Sequence, residues 1–289
     1  MSVRTVESVI EPGTPHFVGD GFRVNNFIPG GVSMQRMDPF IMMDYNTPHH
    51  FNATETPRGV GVHPHRGFET VTIAYKGKIE HHDSGGGGGI IAEGDVQWMT
   101  AGSGVLHKEF HEKEWSKNGG DFQMVQLWVN LPASKKMTKP AYQSLLNSQI
   151  NKFALHQDGS LVEVIAGEYK NVKGAASTFT PMHVFNVRLK KHKEALFQFP
   201  VHFNTALLVI DGSIMVNNTK AVPAHHFTQM ANDGGDFSIT STEDAVVLIL
   251  SGEPINEPIA AHGPFVMNTR QELMQAFHDF NEGKFGFLE

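Results

Sequence analysis

An internal repeat limits what this chain can fold into more than any other feature. Residues 68–79 read FETVTIAYKGKI and residues 203–214 read FNTALLVIDGSI. Both begin Phe-x-Thr, run through an apolar strand, turn at a glycine and resume at isoleucine. Internal self-similarity of this kind signals a duplicated structural unit. A second pair, Gly94-Asp95-Val96 and Gly235-Asp236-Phe237, reads as one shared turn late in each copy. The segments between are short, rich in Val, Ile, Phe and Thr, and punctuated by glycine and proline, which predicts many short strands in a sandwich or barrel. The expected fold class is all-β, in two tandem copies: residues 1–133 and 151–289, joined by a linker over 134–150 with a short helix in 140–150. A C-terminal helix is expected in the second copy. There Thr269 and Glu272 have capping-box spacing, and Leu273, Ala276, Phe277 and Phe280 form an i, i+3, i+4, i+7 stripe.

The chemistry-bearing residues sit just before the first repeat, where residues 61–75 read GVHPHRGFETVTIAY. Side chains alternate faces along a strand, so His63 and His65 point the same way and could grip one metal ion. Glu69 shares their parity, and a regular strand would carry it on that face too. A second group lies at residues 104–111, GVLHKEFH, where His107, Glu109 and His111 share a parity. His63, His65, His107 and Glu109 together offer three imidazole nitrogens and one carboxylate oxygen. That set suits a divalent first-row ion with open positions; iron(II) leads, and nickel, manganese, copper and cobalt remain open. Zinc fits the ligand types but prefers four-coordination. Glu109 ranks ahead of Glu69, whose repeat counterpart is the equally polar Asn204, and His111 ranks lower still.

The repeat also acts as an internal control. At constant offset His63 falls on Gln198 and His65 on Pro200. Aligned through the Gly-Asp pairs, His107 and Glu109 fall on Leu248 and Leu250. The second copy is expected to keep the frame without the ligands.

Composition removes several classes of function. With no cysteine, disulfides and thiolate metal sites are excluded. The net charge of −7 and the lack of any basic block beyond KKHK at residues 190–193 leave little for phosphate neutralisation, so direct nucleic-acid binding is not expected. No apolar run approaches membrane-spanning length, and residues 1–13 lack a signal-like stretch. The expectation is a soluble cytoplasmic protein, or a nuclear one in a eukaryote, acting as a monomer away from membranes. Of the seventeen histidines, the adjacent pairs His49-His50, His81-His82 and His225-His226 are expected on surfaces or loops. The five glycines of residues 85–89 lack the context of a phosphate cradle and read as a flexible connection.

His63-x-His65 with Glu69 and Gly77, then Gly94-Asp95 leading to His107, resembles the two motifs of the cupin superfamily. The second motif departs from the usual spacing, since a proline is replaced around Thr100 and His107 comes late. HPHRGFETVT, GDVQWMTAGSGVLHKE at residues 94–109, LWVNLP at 127–132 and HGPFVMNT at 262–269 resemble the pirin family over nearly the whole chain. The resemblance implies a bicupin, two double-stranded β-helix (jelly-roll) barrels with metal in the N-terminal one only, held by His63, His65, His107 and Glu109. It also implies one of two functions. The first is a quercetin 2,3-dioxygenase, which opens a flavonol ring with O2 and releases carbon monoxide. Glu109 would be its general base, with Glu69 in reserve, and an apolar lining is expected from Phe40, Met42, Val71, Ile73, Trp98 and Trp128. The alternative is a non-catalytic, iron-binding redox sensor that regulates a protein partner.

Overall fold

The computed structural model describes residues 2–289, which divide into two compact units. In chain order the first twelve strands are β1 Val6–Ile10, β2 His16–Val18, β3 Phe22–Ile28, β4 Phe40–Phe51, β5 Gly59–His65, β6 Phe68–Lys76, β7 Ile79–Asp83, β8 Gly88–Ile91, β9 Val96–Thr100, β10 Val105–His111, β11 Gly120–Asn130 and β12 Ala141–Leu145. The next twelve are β13 Asn151–Ala154, β14 Leu161–Ala166, β15 Glu168–Tyr169, β16 Val172–Lys173, β17 Met182–Leu189, β18 Glu194–Gln198, β19 Asn204–Asp211, β20 Ile214–Val216, β21 Lys220–Val222, β22 Phe227–Met230, β23 Asp236–Ser241 and β24 Ala245–Gly252. A short hairpin, β25 Ala260–His262 and β26 Phe265–Met267, precedes the helix Arg270–Asn281.

Each unit is a jelly roll of two facing sheets, which bury their inner faces against each other. The N-terminal barrel has a seven-stranded sheet, β12-β9-β6-β11-β4-β3-β2, and a four-stranded sheet, β5-β10-β7-β8. The C-terminal barrel repeats the plan with β1-β22-β19-β24-β17-β14-β13 and β18-β23-β20-β21. The all-β bicupin expected from the sequence is the observed fold. No described helix is long and apolar enough to cross a membrane.

The ends of the chain depart from the expected boundaries. Residues 2–12 and Arg36–Pro39 belong with Ser148–Pro254, whereas Ile255–Glu289 belongs with Gly13–Gln35 and Phe40–Asn147. Strand β1 supplies the edge of the C-terminal barrel's large sheet by pairing with β22, and the buried Arg4 donates to the carbonyls of Phe203 and Pro200 at 2.7 Å each. The C-terminal helix packs Leu273, Ala276 and Phe277 against Phe265, Met267 and Phe285 of its own unit, which is the N-terminal barrel. Its capping box forms as expected, Thr269 and Glu272 each bonding the other's backbone N–H.

The linker helix expected in residues 140–150 is reduced to a single 3-10 turn, Asn147–Gln149. Ala141–Leu145 instead forms β12, whose backbone pairs with β9 from Ala141 opposite Thr100 to Leu145 opposite Val96. An open sheet edge satisfies that backbone in place of a helix. The glycine run closes the β7–β8 hairpin. The amides of Gly85 and Gly87 donate to Asp83 Oδ1 at 2.7 and 3.0 Å, and Gly88 and Gly89 already belong to β8.

Candidate metal centre

Strands β5 and β10 run antiparallel with His63 opposite His107 and His65 opposite Val105. This register gathers the three imidazoles, whose ligand nitrogens all lie within 4.8 Å of one another. The His63 ring centroid is 4.7 Å from His65 and 5.4 Å from His107. Burial pushes all three imidazoles below their ordinary pKa, His65 and His107 well below, so they are neutral and keep a lone pair at neutral pH. His63 Nδ1 donates to the Gly61 carbonyl at 2.8 Å, which leaves Nε2 as its ligand atom. His65 Nδ1 and both nitrogens of His107 have no hydrogen-bond partner among the described residues. Buried nitrogens left unpaired are costly unless something else occupies their lone pairs. Their chemistry and convergence fit a divalent transition ion.

Glu109 lies two residues beyond His107 on the same buried face of β10, opposite His81 of β7. It stands outside the tight trio of imidazoles but lines a cavity together with His63 and His65. Glu109 is 6% exposed, and burial pushes its carboxyl up to about 7, with the Thr72 hydroxyl donating to it at 3.5 Å. The cavity encloses about 340 Å³, and its apolar wall includes Phe22, Met42, Met124 and Trp128. A larger depression of about 1200 Å³ lies on the C-terminal barrel, but no histidine lines it.

Glu69 departs from the sequence reading. Glu69 does not share the face of His63 and His65, because β5 belongs to the small sheet and β6 to the large one. The chain crosses between them at Arg66-Gly67, with Gly67 at φ +90°. On β6 the inward residues are those of Thr72's parity, since Thr72 bonds Gln126 inside the cavity at 2.9 Å. Glu69 faces the other way, accepts from Thr100 Oγ1 at 2.7 Å, and does not line the cavity. It therefore cannot serve as the reserve base. The same register turns Val71, Ile73 and Trp98 to the Glu69 face. Of the six residues expected as lining, only Met42 and Trp128 are on the cavity wall. His111 is a core residue, bonded through Nε2 to the Gly21 carbonyl at 2.8 Å and packed edge-on against Phe22 and Phe51.

Sequence reasoning missed His81. Expected at the surface, it is 1% exposed, stacks on Tyr142 at 5.0 Å, hydrogen-bonds the Tyr142 hydroxyl and sits 6.1 Å from His107. The signal was there in β7, whose alternation places Ile79, His81 and Asp83 on the buried face.

The second copy proves sharper as a control than the sequence alignment allowed. Gly94 donates its amide to the Ala74 carbonyl and Ala74 donates to Asp95; His225, Val209 and His226 repeat both bonds. Gly94-Asp95 thus matches His225-His226, not Gly235-Asp236, and His225 shares its positive φ. Leu248 and Leu250 consequently lie on β24, the counterpart of β11. The true counterpart of β10 is β23, with Ser241 opposite Ile214 as His111 is opposite Ile79. Counting along these registers puts Phe197 at the place of His63, Phe199 at His65, Phe237 at His107 and Ile239 at Glu109. Phe197 and Phe237 stack at 5.3 Å, and all four side chains belong to one buried apolar core. One barrel holds a ring of imidazoles where the other holds a ring of phenyls.

The fold and this asymmetry define a bicupin with one candidate metal centre among the described residues. Residues 21–129 match the family model described as Pirin, and residues 184–286 match the Pirin C-terminal cupin domain. A Pseudomonas aeruginosa protein that carries the provisional name quercetin 2,3-dioxygenase is 44% identical over 93% of this chain and 94% of its own. The crystal structure of a quercetin 2,3-dioxygenase from Acinetobacter baumannii superimposes with a TM-score of 0.95 at 46% identity, covering 100% of both chains. The Escherichia coli bacterial pirin YhhW, solved in complex with nickel(II), shares the fold at 19% identity and a TM-score of 0.65, over 86% of this chain and 99% of its own. The chain belongs to the pirin family.

Proposed function

We propose that this protein is a metal-dependent dioxygenase that opens a flavonol such as quercetin with O2 and releases carbon monoxide. The observation that carries the reading is the trio of neutral, buried imidazoles, two of which, His63 and His65, line an apolar cavity together with the buried acid Glu109. The names borne by the Pseudomonas and Acinetobacter relatives support the substrate class.

His63 Nε2 and one nitrogen each of His65 and His107 would hold the ion, with Glu109 as a fourth ligand or a neighbour. Iron(II) is the first choice; nickel, manganese, copper, cobalt and zinc are compatible with the donor set. When bound, the ion supplies a Lewis acid that favours the ionised form of the flavonol 3-hydroxyl. Glu109 takes the proton of that hydroxyl. Burial has already brought its pKa near neutrality, where a general base is most effective. The apolar wall, Phe22, Met42 and Trp128 among it, covers the aromatic rings and excludes water from the enolate.

Protein reconstituted with each metal in turn and assayed aerobically with quercetin should show metal-dependent loss of the visible band, with carbon monoxide released in step. Absence of turnover with every metal would contradict the reading.

A further inference from the structure

The comparison of the two barrels marks more than the metal ligands. On β4 and β11 of the N-terminal barrel, Asp44 lies directly opposite Gln126, and Gln126 lies opposite Thr72 of β6. Asp44 and Gln126 both line the cavity that His63 and His65 line. The corresponding trio in the C-terminal barrel follows from the Phe68–Phe203 repeat, which places Leu207 at Thr72. Leu207 lies opposite Ile249, and Ile249 lies opposite Phe185. Leu207, Ile249 and Phe185 are fully buried members of that barrel's apolar core. The fold therefore tolerates three apolar residues at these places, and the polar trio in the N-terminal barrel serves something other than folding.

Its hydrogen bonding shows a built arrangement. Asn26 Nδ2 donates to Asp44 Oδ1 at 2.7 Å and to the Ile28 carbonyl at 2.9 Å, while Asn26 Oδ1 accepts from the Gly30 amide at 2.7 Å. Asp44 is thereby held in one orientation, and its second oxygen has no hydrogen-bond partner among the described residues. Thr72 donates to Gln126 Oε1 at 2.9 Å, which orients the Gln126 amide and leaves its Nε2 without a partner among the described residues. An open acceptor thus stands beside an open donor on neighbouring strands. A hydroxyl group can answer both at once, by donating to the carboxylate and accepting from the amide.

We propose that Asp44 and Gln126 form a specificity site that reads a phenolic hydroxyl of the substrate other than the one directed at the imidazole cluster. The proposal rests on the flavonol reading and deepens it. Within one hydrophobic cavity, ring area is recognised without direction, whereas a donor–acceptor pair on the wall selects hydroxylated rings and fixes which end of the substrate faces the histidines.

The test is anaerobic binding to the full-length, metal-reconstituted protein, which separates recognition from turnover. The probes are quercetin and 3-hydroxyflavone, the latter carrying only the hydroxyl meant for the metal. Wild-type protein should prefer quercetin about ten- to a hundredfold, the worth of a hydrogen bond to a charged group. Asp44→Asn keeps the acceptor that Asn26 needs but turns a donor toward the cavity; Gln126→Glu keeps the acceptor for Thr72 and removes the donor. Either variant should bring the ratio of the two affinities close to one, with circular dichroism verifying the fold. An unchanged ratio in both variants, or failure of the wild type to bind either flavonol, would overturn the proposal. The expected ratios without carbon monoxide on admitting air would refute the dioxygenase reading and leave the specificity site standing.

Discussion

Arg66 donates through Nη1 to Asp279 Oδ2 at 2.8 Å, which ties the residue after His65 to the C-terminal helix. The guanidinium also donates to the Ser103 carbonyl at 2.8 Å and lies 4.6 Å from the Phe285 ring centre. Hydrogen bonds from Lys284, Arg66 and Gln275 hold the Asp279 carboxyl well below its usual range. Asp279→Asn is therefore expected to destabilise the N-terminal barrel on the order of 3 kcal/mol, because it leaves a buried guanidinium without its counter-charge. Urea denaturation at neutral pH measures this. The folded pKa is depressed, so the contribution is present above the unfolded value of about 4 and is lost only as pH falls through the folded one. The difference between wild type and variant should accordingly shrink in strongly acid solution.

Glu69 predicts a slope of opposite sign. Burial raises its carboxyl to about 7, so between the unfolded value of about 4.3 and 7 the folded protein holds a proton that the unfolded chain has released. Stability from this group is full below the unfolded pKa and is lost as pH rises through 7. Glu69→Gln keeps an oxygen for Thr100 and has no charge to bury. It should match wild type near pH 5 and exceed it at pH 8 on the order of 2 kcal/mol, read from denaturation at the two pH values.

For Glu109→Gln the expected loss is catalytic. The three imidazoles remain, so metal content by elemental analysis should stay close to wild type. Quercetin turnover should fall about 10²- to 10⁴-fold, the usual contribution of a positioned base. Full activity in this variant would remove Glu109 from the mechanism.

The sequence carried the frame and the imidazoles because both rest on local patterns, a duplicated strand–turn–strand and two His-x-His/Glu spacings. What it hid depends on which sheet a strand joins. Glu69 keeps the parity of His65 in the written chain, yet the crossing at Gly67 places it in a different sheet, facing away from the cavity. Residues 141–145 have no pattern that marks them as the edge partner of β9, so a sheet contact replaced the expected helix. The one-residue shift that puts Phe197, not Gln198, at the place of His63 becomes visible only through the hydrogen bonds around Val209 and Phe199. Asp44 and Gln126 each sit between apolar neighbours along the chain, and only their positions across β4 and β11 bring them together.

The most direct test of the metal centre exploits its phenyl counterpart in the C-terminal barrel. His107→Phe installs the residue that Phe237 supplies there, in a setting the fold already accommodates. Elemental analysis of purified wild type should find close to one equivalent of a transition metal, and the folded variant should retain less than about a tenth of it, since loss of one of three imidazoles removes the chelate. Equal metal in the two proteins, or none in either after reconstitution, would contradict the assignment of His63, His65 and His107 as its ligands.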